Sequence, residues 1–203
     1  MASLSLARLA ELTGGKIIQG EPETTIVAYT FDSRQARPGS LFFALKGIRD
    51  GHDYIAEAQK KGAVAACVSR KVKDLPPDFG LIQVDDTLHA LQQLAARVLA
   101  ESQLRVVGIT GSIGKTSTKE LTAGLLSERF AVLKSMGNYN NQIGLPISIL
   151  SLSDSHQVAV LEMGMNHPGE IKRLVEIAPP EVAVITRIAP VHLEFFQSLE
   201  EIA

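Results

Sequence analysis

Residues 105–120, RVVGITGSIGKTSTKE, have the residue types and spacing of a phosphate-binding loop. An apolar run leads into a glycine-rich turn, after which a helix is predicted to begin at Lys115. Backbone N–H groups of the turn and the positive end of the helix dipole would face phosphate oxygens. The Lys115 ammonium would neutralise phosphate charge, and the Thr116 hydroxyl would hold magnesium. This stretch therefore predicts a site for a nucleoside triphosphate and Mg²⁺.

The loop departs from the common spelling GxxxxGK[ST] at one position. That spelling requires glycine at position 109, where this chain has Ile109, with Gly108 and Gly111 on either side. A glycine-rich turn without a ligand is the alternative interpretation. The predicted strand before the loop, the predicted helix after it and the run GKTST together favour nucleotide binding.

Two further polar residues follow predicted strands. Glu162 comes directly after the apolar run VAVL, and His192 follows VAVIT through the short loop RIAP. Because the carboxyl ends of parallel strands form a common crevice, both residues are predicted to lie near the phosphate loop. A carboxylate there would bind magnesium. A surface glutamate and a histidine that only packs are the alternatives.

Two polar turns are candidates for binding. The turn GNYNNQIGLP, residues 137–146, offers asparagine amides to a phosphoryl or acyl oxygen that develops charge, although turn chemistry explains it equally well. In the triplet DSR, Ser33 and Arg34 are candidate donors to a diphosphate, and a capped turn with a surface arginine is the alternative. In DGHD, residues 50–53, Asp53 is predicted to cap a helix.

Hydrophobic periodicity predicts two α/β domains around these residues, over 1–84 and 85–203. The first is predicted to contain an amphipathic helix near its start, strands over 25–31, 40–45, 63–68 and 81–84, and a helix over 54–61. The second is predicted to contain helices over 87–101, capped by Asp85 or Asp86, and 115–127, strands over 104–109, 131–133, 158–161 and 182–186, and a helix from near Ser198. The last two strands are predicted to be buried on both faces of a mostly parallel, doubly wound sheet that looks truncated at Ala203.

Composition limits the classes of function. The 203 residues are 45% hydrophobic and carry a formal net charge of -2, which is typical of a globular protein and disfavours nucleic acid as a partner. No segment is predicted to span a membrane, and the first residues are predicted to form a helix rather than a signal peptide. The single cysteine, Cys67, is predicted to be a buried strand thiol, which fits a reducing cytoplasm.

Six blocks in sequence order make the whole chain resemble the Mur ligases, and among them the enzymes that add a dipeptide. The blocks are FDSRQARPGSLFFALKG, DGHDYIAEAQKKGA, GITGSIGKTSTKE, GNYNNQIGLP, LEMGMNHPGEI and ITRIAPVHLEFFQSLEEIA. The phosphate loop of this family is spelled TGxxGKT, so Ile109 is regular under this resemblance.

The resemblance implies an ATP-dependent ligase that joins D-alanyl-D-alanine to the tripeptide carboxylate of UDP-N-acetylmuramoyl-tripeptide, through an acyl phosphate, in peptidoglycan precursor synthesis. ATP would bind to Gly111, Ser112, Ile113, Gly114, Lys115, Thr116 and Ser117. Magnesium would bind to Thr116, Glu162 and His192, and the catalytic residues would be Lys115, Asn141 and His192, with Asn141 positioning phosphate. Ser33 and Arg34 would bind the UDP end of the substrate, which places that substrate on domain 1–84.

Some positions depart from the family pattern ITNIGxAHLExFGS. They are Arg187, Ala189, Val191 and Gln197. Family members also continue into a third domain, so the resemblance implies a monomeric, cytoplasmic amino-terminal part that is inactive alone. A sister Mur ligase or a folylpolyglutamate synthase is the alternative within ATP-dependent ligases, and a non-catalytic nucleotide-binding module is the alternative outside them.

Overall fold

Strands and helices alternate through the computed structural model, which describes residues 3–191 and 194–203. The chain divides into two units, Met1–Arg97 and Val98–Ala203. The division falls within the helix α3 (Thr87–Ser102), whereas the hydrophobic pattern places a domain boundary near residue 84. The side chain of Asp86 accepts the backbone N–H groups of Leu88 and His89, so Asp86 is the cap of α3.

The first unit is built on a five-stranded sheet in the order β2-β7-β6-β5-β4. Its strands in chain order are β1 (Leu4–Ser5), β2 (Lys16–Gln19), β3 (Thr25–Ile26), β4 (Ala28–Thr30), β5 (Ser40–Phe43), β6 (Ala63–Val68) and β7 (Gly80–Gln83). The pairs among β4, β5, β6 and β7 are parallel, and β2 is antiparallel to β7. A short antiparallel pair, β1 with β3, stands apart from the main sheet.

Two helices accompany this sheet, α1 (Leu6–Thr13) and α2 (Ile55–Lys60). The Ser5 side chain caps α1, and Gly14 ends it in the left-handed conformation. The central strands supply an apolar core that includes Phe42 and Ala66. Cys67 on β6 is fully buried, as the sequence predicts, and burial raises the pKa of its thiol.

The chain before α2 differs from the prediction. The helix expected over 54–61 is present as α2, but a 3₁₀ turn, Gly51–Tyr54, precedes it, and the cap of that turn is Asp50 rather than Asp53. The Asp50 carboxylate accepts the His52 N–H, which lies two residues along the chain. Asp53 is inside the turn, so the prediction that it caps a helix is wrong.

The second unit is built on a parallel sheet in the order β11-β8-β10-β9. Its strands are β8 (Arg105–Thr110), β9 (Val132–Lys134), β10 (Val158–Glu162) and β11 (Val182–Ile185), and its helices after α3 are α4 (Lys115–Ser127), α5 (Gly144–Ile149), α6 (Glu170–Ile177) and α7 (Leu199–Ile202). Helix α4 packs on β8, β9 and β10, with Ala123 buried against Ile109 and Val160. The α/β fold class predicted from the sequence is confirmed.

The two apolar strands at the end of the sequence pattern differ in burial. All five residues of β10 are buried, as expected for an interior strand. The same expectation is wrong for β11, where Val182 and Ile185 are 55% and 63% exposed. Among the described strands, β11 lies at the sheet edge and pairs with β8. Among the described residues, no helix has the length and apolar character needed to cross a membrane.

Candidate nucleotide and cation site

The turn between β8 and α4 has the geometry of a phosphate-binding loop. Gly111 has a φ of +131°, and a Cβ there would meet the Thr186 hydroxyl at 2.3 Å, so this position requires glycine. Gly114 precedes α4 in the left-handed conformation. The first backbone N–H groups of a helix have no partner within it, so those at the start of α4 are available to an anion.

The Lys115 ammonium lies against this turn. It donates to the carbonyl oxygens of Gly111 at 2.6 Å and Ser112 at 3.3 Å. The side chain therefore folds back over the loop, and its charge lies against the loop carbonyl groups. Thr116 and Ser117 follow in the first turn of α4 and are exposed. The structure thus brings together the residues predicted to bind ATP, since Gly111 to Ser117 form one continuous turn and helix start.

The loop is tied to the segment that follows β11. Ser112 N donates to Arg187 O at 2.7 Å, and the Thr186 hydroxyl donates to Ile113 O at 2.7 Å. The Ser112 hydroxyl donates to Ala189 O and accepts from Ala189 N. This segment leads toward His192, which lies outside the described residues, so its predicted metal and catalytic roles stay predictions.

Glu162 ends β10 beside the loop. Its register partner on β8 is Ile109, so both strands finish at the same edge of the sheet. Its side chain is 1% exposed, which excludes the alternative of a surface glutamate. Carboxylate Oε1 accepts from Asn140 Nδ2 at 2.8 Å, while Oε2 is buried with no hydrogen-bond partner among the described residues. An orphaned carboxylate oxygen in this position suits a cation.

The residues present fit Mg²⁺ better than a metal held entirely by protein. No group of three His, Cys, Asp or Glu side chains that could hold a metal occurs in the described part of the chain. Mg²⁺ is usually bound by one or two carboxylates, substrate phosphates and water. Glu162 and the Thr116 hydroxyl are oxygen donors of the type that such a site uses.

Two neighbouring asparagines of the turn 137–146 make different contacts. Asn141 Oδ1 accepts the backbone N–H groups of Ile143 and Gly144, which is the turn chemistry considered as its alternative. The residue that contacts Glu162 is Asn140, which the sequence analysis does not single out. Both asparagines nevertheless line a cavity of about 330 Å³ together with Lys115. The turn therefore faces the same space as the phosphate loop.

Asn166 and Glu170 line the same cavity and were not predicted. Burial opposes ionisation of Glu170, but the backbone N–H groups of Asn166 and His167 donate to its carboxylate and the pKa of Glu170 is lowered. A second cavity, of about 310 Å³ and lined more by apolar groups such as Ile188 and Phe196, also reaches Lys115. Lys115 thus borders both spaces.

Lys119 is a further residue that sequence reasoning missed. Its side chain is fully buried, and its ammonium donates to Ser135 O and Gly137 O, each at 3.1 Å. Helical spacing was the available signal, because Lys119 lies four residues after Lys115 and four before the buried Ala123, on one face of α4.

The predicted diphosphate donors lie in the first unit, on a 3₁₀ turn, Ser33–Gln35. Asp32 caps this turn and accepts from the guanidinium of Arg34, which lowers the pKa of Asp32. The Arg34 side chain is 77% exposed, so it is open to a ligand. Ser33 is buried and donates its only hydroxyl proton to Glu57 at 2.9 Å. In this arrangement the Ser33 hydroxyl has no proton left to donate to a phosphate oxygen.

Two family profiles match the chain. The Mur ligase family catalytic domain matches residues 25–98, and the Mur ligase middle domain matches residues 109–203. The UDP-N-acetylmuramoyl-tripeptide--D-alanyl-D-alanine ligase of Rickettsia prowazekii is 48% identical over 173 residues, which are 85% of this chain and 38% of that protein. The enzyme of the same name from Escherichia coli is 44% identical over 206 residues, 100% of this chain and 44% of that protein.

Solved structures agree with these matches. A crystal structure of MurF from Acinetobacter baumannii aligns with a TM-score of 0.92 at 36% identity, over 100% of this chain and 45% of that chain. MurF ligase from Thermotoga maritima in complex with ADP aligns with a TM-score of 0.76 at 41% identity, over 86% and 40%. This chain therefore spans less than half the length of these relatives. On the evidence of its phosphate loop, its strand-end glutamate and these matches, the chain belongs to the Mur ligase family.

Proposed function

We propose that this chain forms the UDP-substrate and ATP parts of a ligase that joins D-alanyl-D-alanine to UDP-N-acetylmuramoyl-tripeptide. The observation that carries the proposal is that a buried glutamate, Glu162, lies at the same sheet edge as the phosphate loop. Its Oε2 has no hydrogen-bond partner among the described residues. The names of the relatives from Rickettsia prowazekii and Escherichia coli support this acceptor over those of sister ligases.

The reaction assigned to the site begins with phosphoryl transfer. A carboxylate oxygen of the tripeptide attacks the γ-phosphorus of ATP, and the bond to the departing ADP oxygen breaks. The amine nitrogen of the dipeptide then attacks the acyl carbon, phosphate leaves, and the nitrogen loses one proton as the amide forms. Activation as an acyl phosphate provides the good leaving group that a carboxylate lacks.

The roles of the residues follow from their positions. The loop N–H groups from Gly111 to Ser117 hold the phosphates, except that of Ser112, which donates to Arg187 O. The Lys115 ammonium offsets the charge of the transferring group. Glu162 and the Thr116 hydroxyl hold Mg²⁺, which supplies charge neutralisation on the phosphate oxygens. We assign Asn141 to phosphate positioning and His192 to a second magnesium as the resemblance implies. We also propose that this reaction takes place in the cytoplasm.

Substrate binding is assigned to the first domain, residues 1–84. Arg34 has an exposed guanidinium, which is suited to bidentate contact with a diphosphate. Ser33 lies next to it, and its hydroxyl would donate to the diphosphate only after releasing Glu57. ATP is assigned to residues 85–203, in agreement with the ADP bound by the relative from Thermotoga maritima.

The test is a phosphate-release assay on the complete protein that carries this chain. Release is expected only when ATP, UDP-N-acetylmuramoyl-tripeptide and D-alanyl-D-alanine are all present. Release with a single amino acid and UDP-N-acetylmuramoyl-dipeptide instead would assign the chain to a sister ligase. Release that needs neither acceptor would contradict the ligase assignment.

A further inference from the structure

The ammonium of Lys119 has three polar partners besides Glu162. It donates to the carbonyl oxygens of Ser135 and Gly137 at 3.1 Å, and it forms an ion pair with Glu120 Oε1 at the same distance. A lysine ammonium has three donors and no acceptor. Its orientation is therefore fixed by this set of partners, and its charge is fixed in place as well.

Glu162 receives the charge of Lys119 without a hydrogen bond from it. The Nζ to Oε2 distance is 3.9 Å, beyond hydrogen-bonding range, and Oε1 is used by Asn140. Both side chains are buried, so solvent screens their attraction weakly. The carboxylate is thus compensated in charge while Oε2 keeps its lone pairs free.

This arrangement has a consequence for any cation at Glu162. A Mg²⁺ or Mn²⁺ ion bonded to Oε2 at about 2.1 Å would lie at most about 6 Å from the Lys119 Nζ. Like charges at that separation in a poorly screened interior repel each other strongly. The charge of the Glu162 carboxylate is already balanced by Lys119, so it cannot retain a divalent ion by itself. The further negative charge that the ion requires has to come from the phosphates of the nucleotide.

We propose that Lys119 is a positioning residue that makes cation binding at Glu162 depend on the nucleotide. Its fixed charge compensates the charge of the carboxylate and opposes a divalent ion until phosphate oxygens arrive. The inference rests on the proposed function, which places the nucleotide at the loop and the cation at Glu162. It adds to that site a coupling between the two ligands, in which the metal ion and the nucleotide bind together.

The test measures binding rather than turnover, with Mn²⁺ as the probe and the complete protein. Calorimetry compares Mn²⁺ alone with the preformed complex of Mn²⁺ and β,γ-methylene-ATP. In Lys119→Met, which keeps an unbranched stem as far as Cε and removes the ammonium, Mn²⁺ alone is expected to bind about tenfold tighter or more. Binding of the preformed complex is expected to change by less than about threefold, because its phosphates already outweigh the ammonium.

Lys134→Met is the matched control. Lys134 also pairs with Glu120, but its side chain is 50% exposed, so solvent screens its charge. Its loss is expected to leave both affinities unchanged. Lys119→Gln provides a second neutral variant that still donates to the carbonyl oxygens of Ser135 and Gly137, in case the methionine variant does not fold.

Three outcomes would overturn the role of Lys119. They are a folded Lys119 variant that binds Mn²⁺ alone no tighter than the wild type, a Lys134→Met variant with the same gain, and a wild-type protein that binds Mn²⁺ alone as tightly as the nucleotide complex. Glu162→Gln separates this inference from the proposed function. If Glu162→Gln binds Mn²⁺ and nucleotide as well as the wild type, Glu162 is not a ligand of the cation and the proposed site is wrong. If Glu162→Gln loses this binding but the Lys119 variants bind like the wild type, only the role of Lys119 is contradicted.

Discussion

The Asn140 side-chain amide donates to Glu162 Oε1 over 2.8 Å, and Gly164 N donates to Asn140 O at the same distance. The asparagine-rich turn is therefore hydrogen-bonded to the end of β10 at Glu162 and to the chain just after it at Gly164. Each half of Asn140 has a separate task, since its backbone holds the loop to residue 164 and its amide fixes the rotamer of Glu162.

Replacing Asn140 with aspartate places a carboxylate against a buried carboxylate. We expect Asn140→Asp to lower the free energy of unfolding by about 1–3 kcal/mol near neutral pH, since it exchanges a donated hydrogen bond for like-charge repulsion. Urea unfolding monitored by circular dichroism measures the change. Asn138→Asp, an exposed position in the same turn, is the control and should cost less than about 0.5 kcal/mol. Equal losses for the two variants would show that the Asn140 to Glu162 bond contributes nothing.

A methyl group at Gly111 should distort the phosphate loop and weaken nucleotide binding. Its φ of +131° strains any other residue, and the new Cβ would meet the Thr186 hydroxyl at 2.3 Å. We expect Gly111→Ala to weaken nucleotide binding at least about tenfold, because the loop must shift from the geometry that aims its N–H groups. A fluorescent ATP analogue titrated into the complete protein provides the measurement.

Gly124→Ala is the matched control for that change. Gly124 lies within α4, and an added Cβ there meets nothing within 4 Å. Alanine is favoured over glycine inside a helix by about 0.5–1 kcal/mol. The control should therefore bind nucleotide normally and unfold at higher urea. Normal nucleotide affinity in Gly111→Ala would remove this turn from the nucleotide site.

The phosphate loop and Glu162 could be predicted because their signals are local. A glycine-rich turn between a strand and a helix has few alternatives, and a residue after a buried strand lies at the carboxyl edge of a parallel sheet. The choice between Asn140 and Asn141 could not be made, because turn geometry decides which adjacent side chain points at Glu162. The residue pattern of the turn offers three asparagines and no periodicity.

Burial was harder to predict where it depends on neighbours distant in sequence. The runs at β10 and β11 are similarly apolar, yet β10 lies between two strands and β11 at the edge. Lys119 lies on the buried face of α4, and its charge is acceptable there only because two carbonyl groups and two carboxylates surround it. No local sequence pattern predicts these carbonyl and carboxylate partners of Lys119.

Arg34 offers a test of the substrate domain. Because its side chain is 77% exposed and its ion pair is with Asp32 on its own turn, Arg34→Ala should leave the free energy of unfolding nearly unchanged. The affinity for UDP should nevertheless fall about tenfold, since a bidentate guanidinium contact with diphosphate is lost. Calorimetric titration of the complete protein with UDP measures it. Arg37→Ala, another exposed arginine near the turn, should leave UDP binding intact. Equal UDP affinities in the wild type and Arg34→Ala would contradict the assignment.

The acid sensitivity of the first unit should depend on Asp50. Its carboxylate accepts from the backbone N–H of His52 at 3.0 Å and from the His52 ring at 2.6 Å. The backbone hydrogen bond is the larger cause, and together these contacts lower the pKa of Asp50 to about 2 from the ordinary 3.8. Because the unfolded chain binds the proton more tightly, the contribution of Asp50 to stability is present above pH 3.8 and is lost as the pH falls to about 2.

Asp50→Asn removes the charge and keeps an oxygen that accepts from His52. We expect its free energy of unfolding to vary less with pH than that of the wild type between pH 4 and pH 2, with the two curves converging at the acid end. Urea unfolding at several pH values in that window measures the slope. Asp53→Asn is the control, because Asp53 is 67% exposed and pairs with Arg70 at the surface. Parallel curves for wild type and Asp50→Asn would show that the carboxylate of Asp50 has no favoured ionised state in the folded chain.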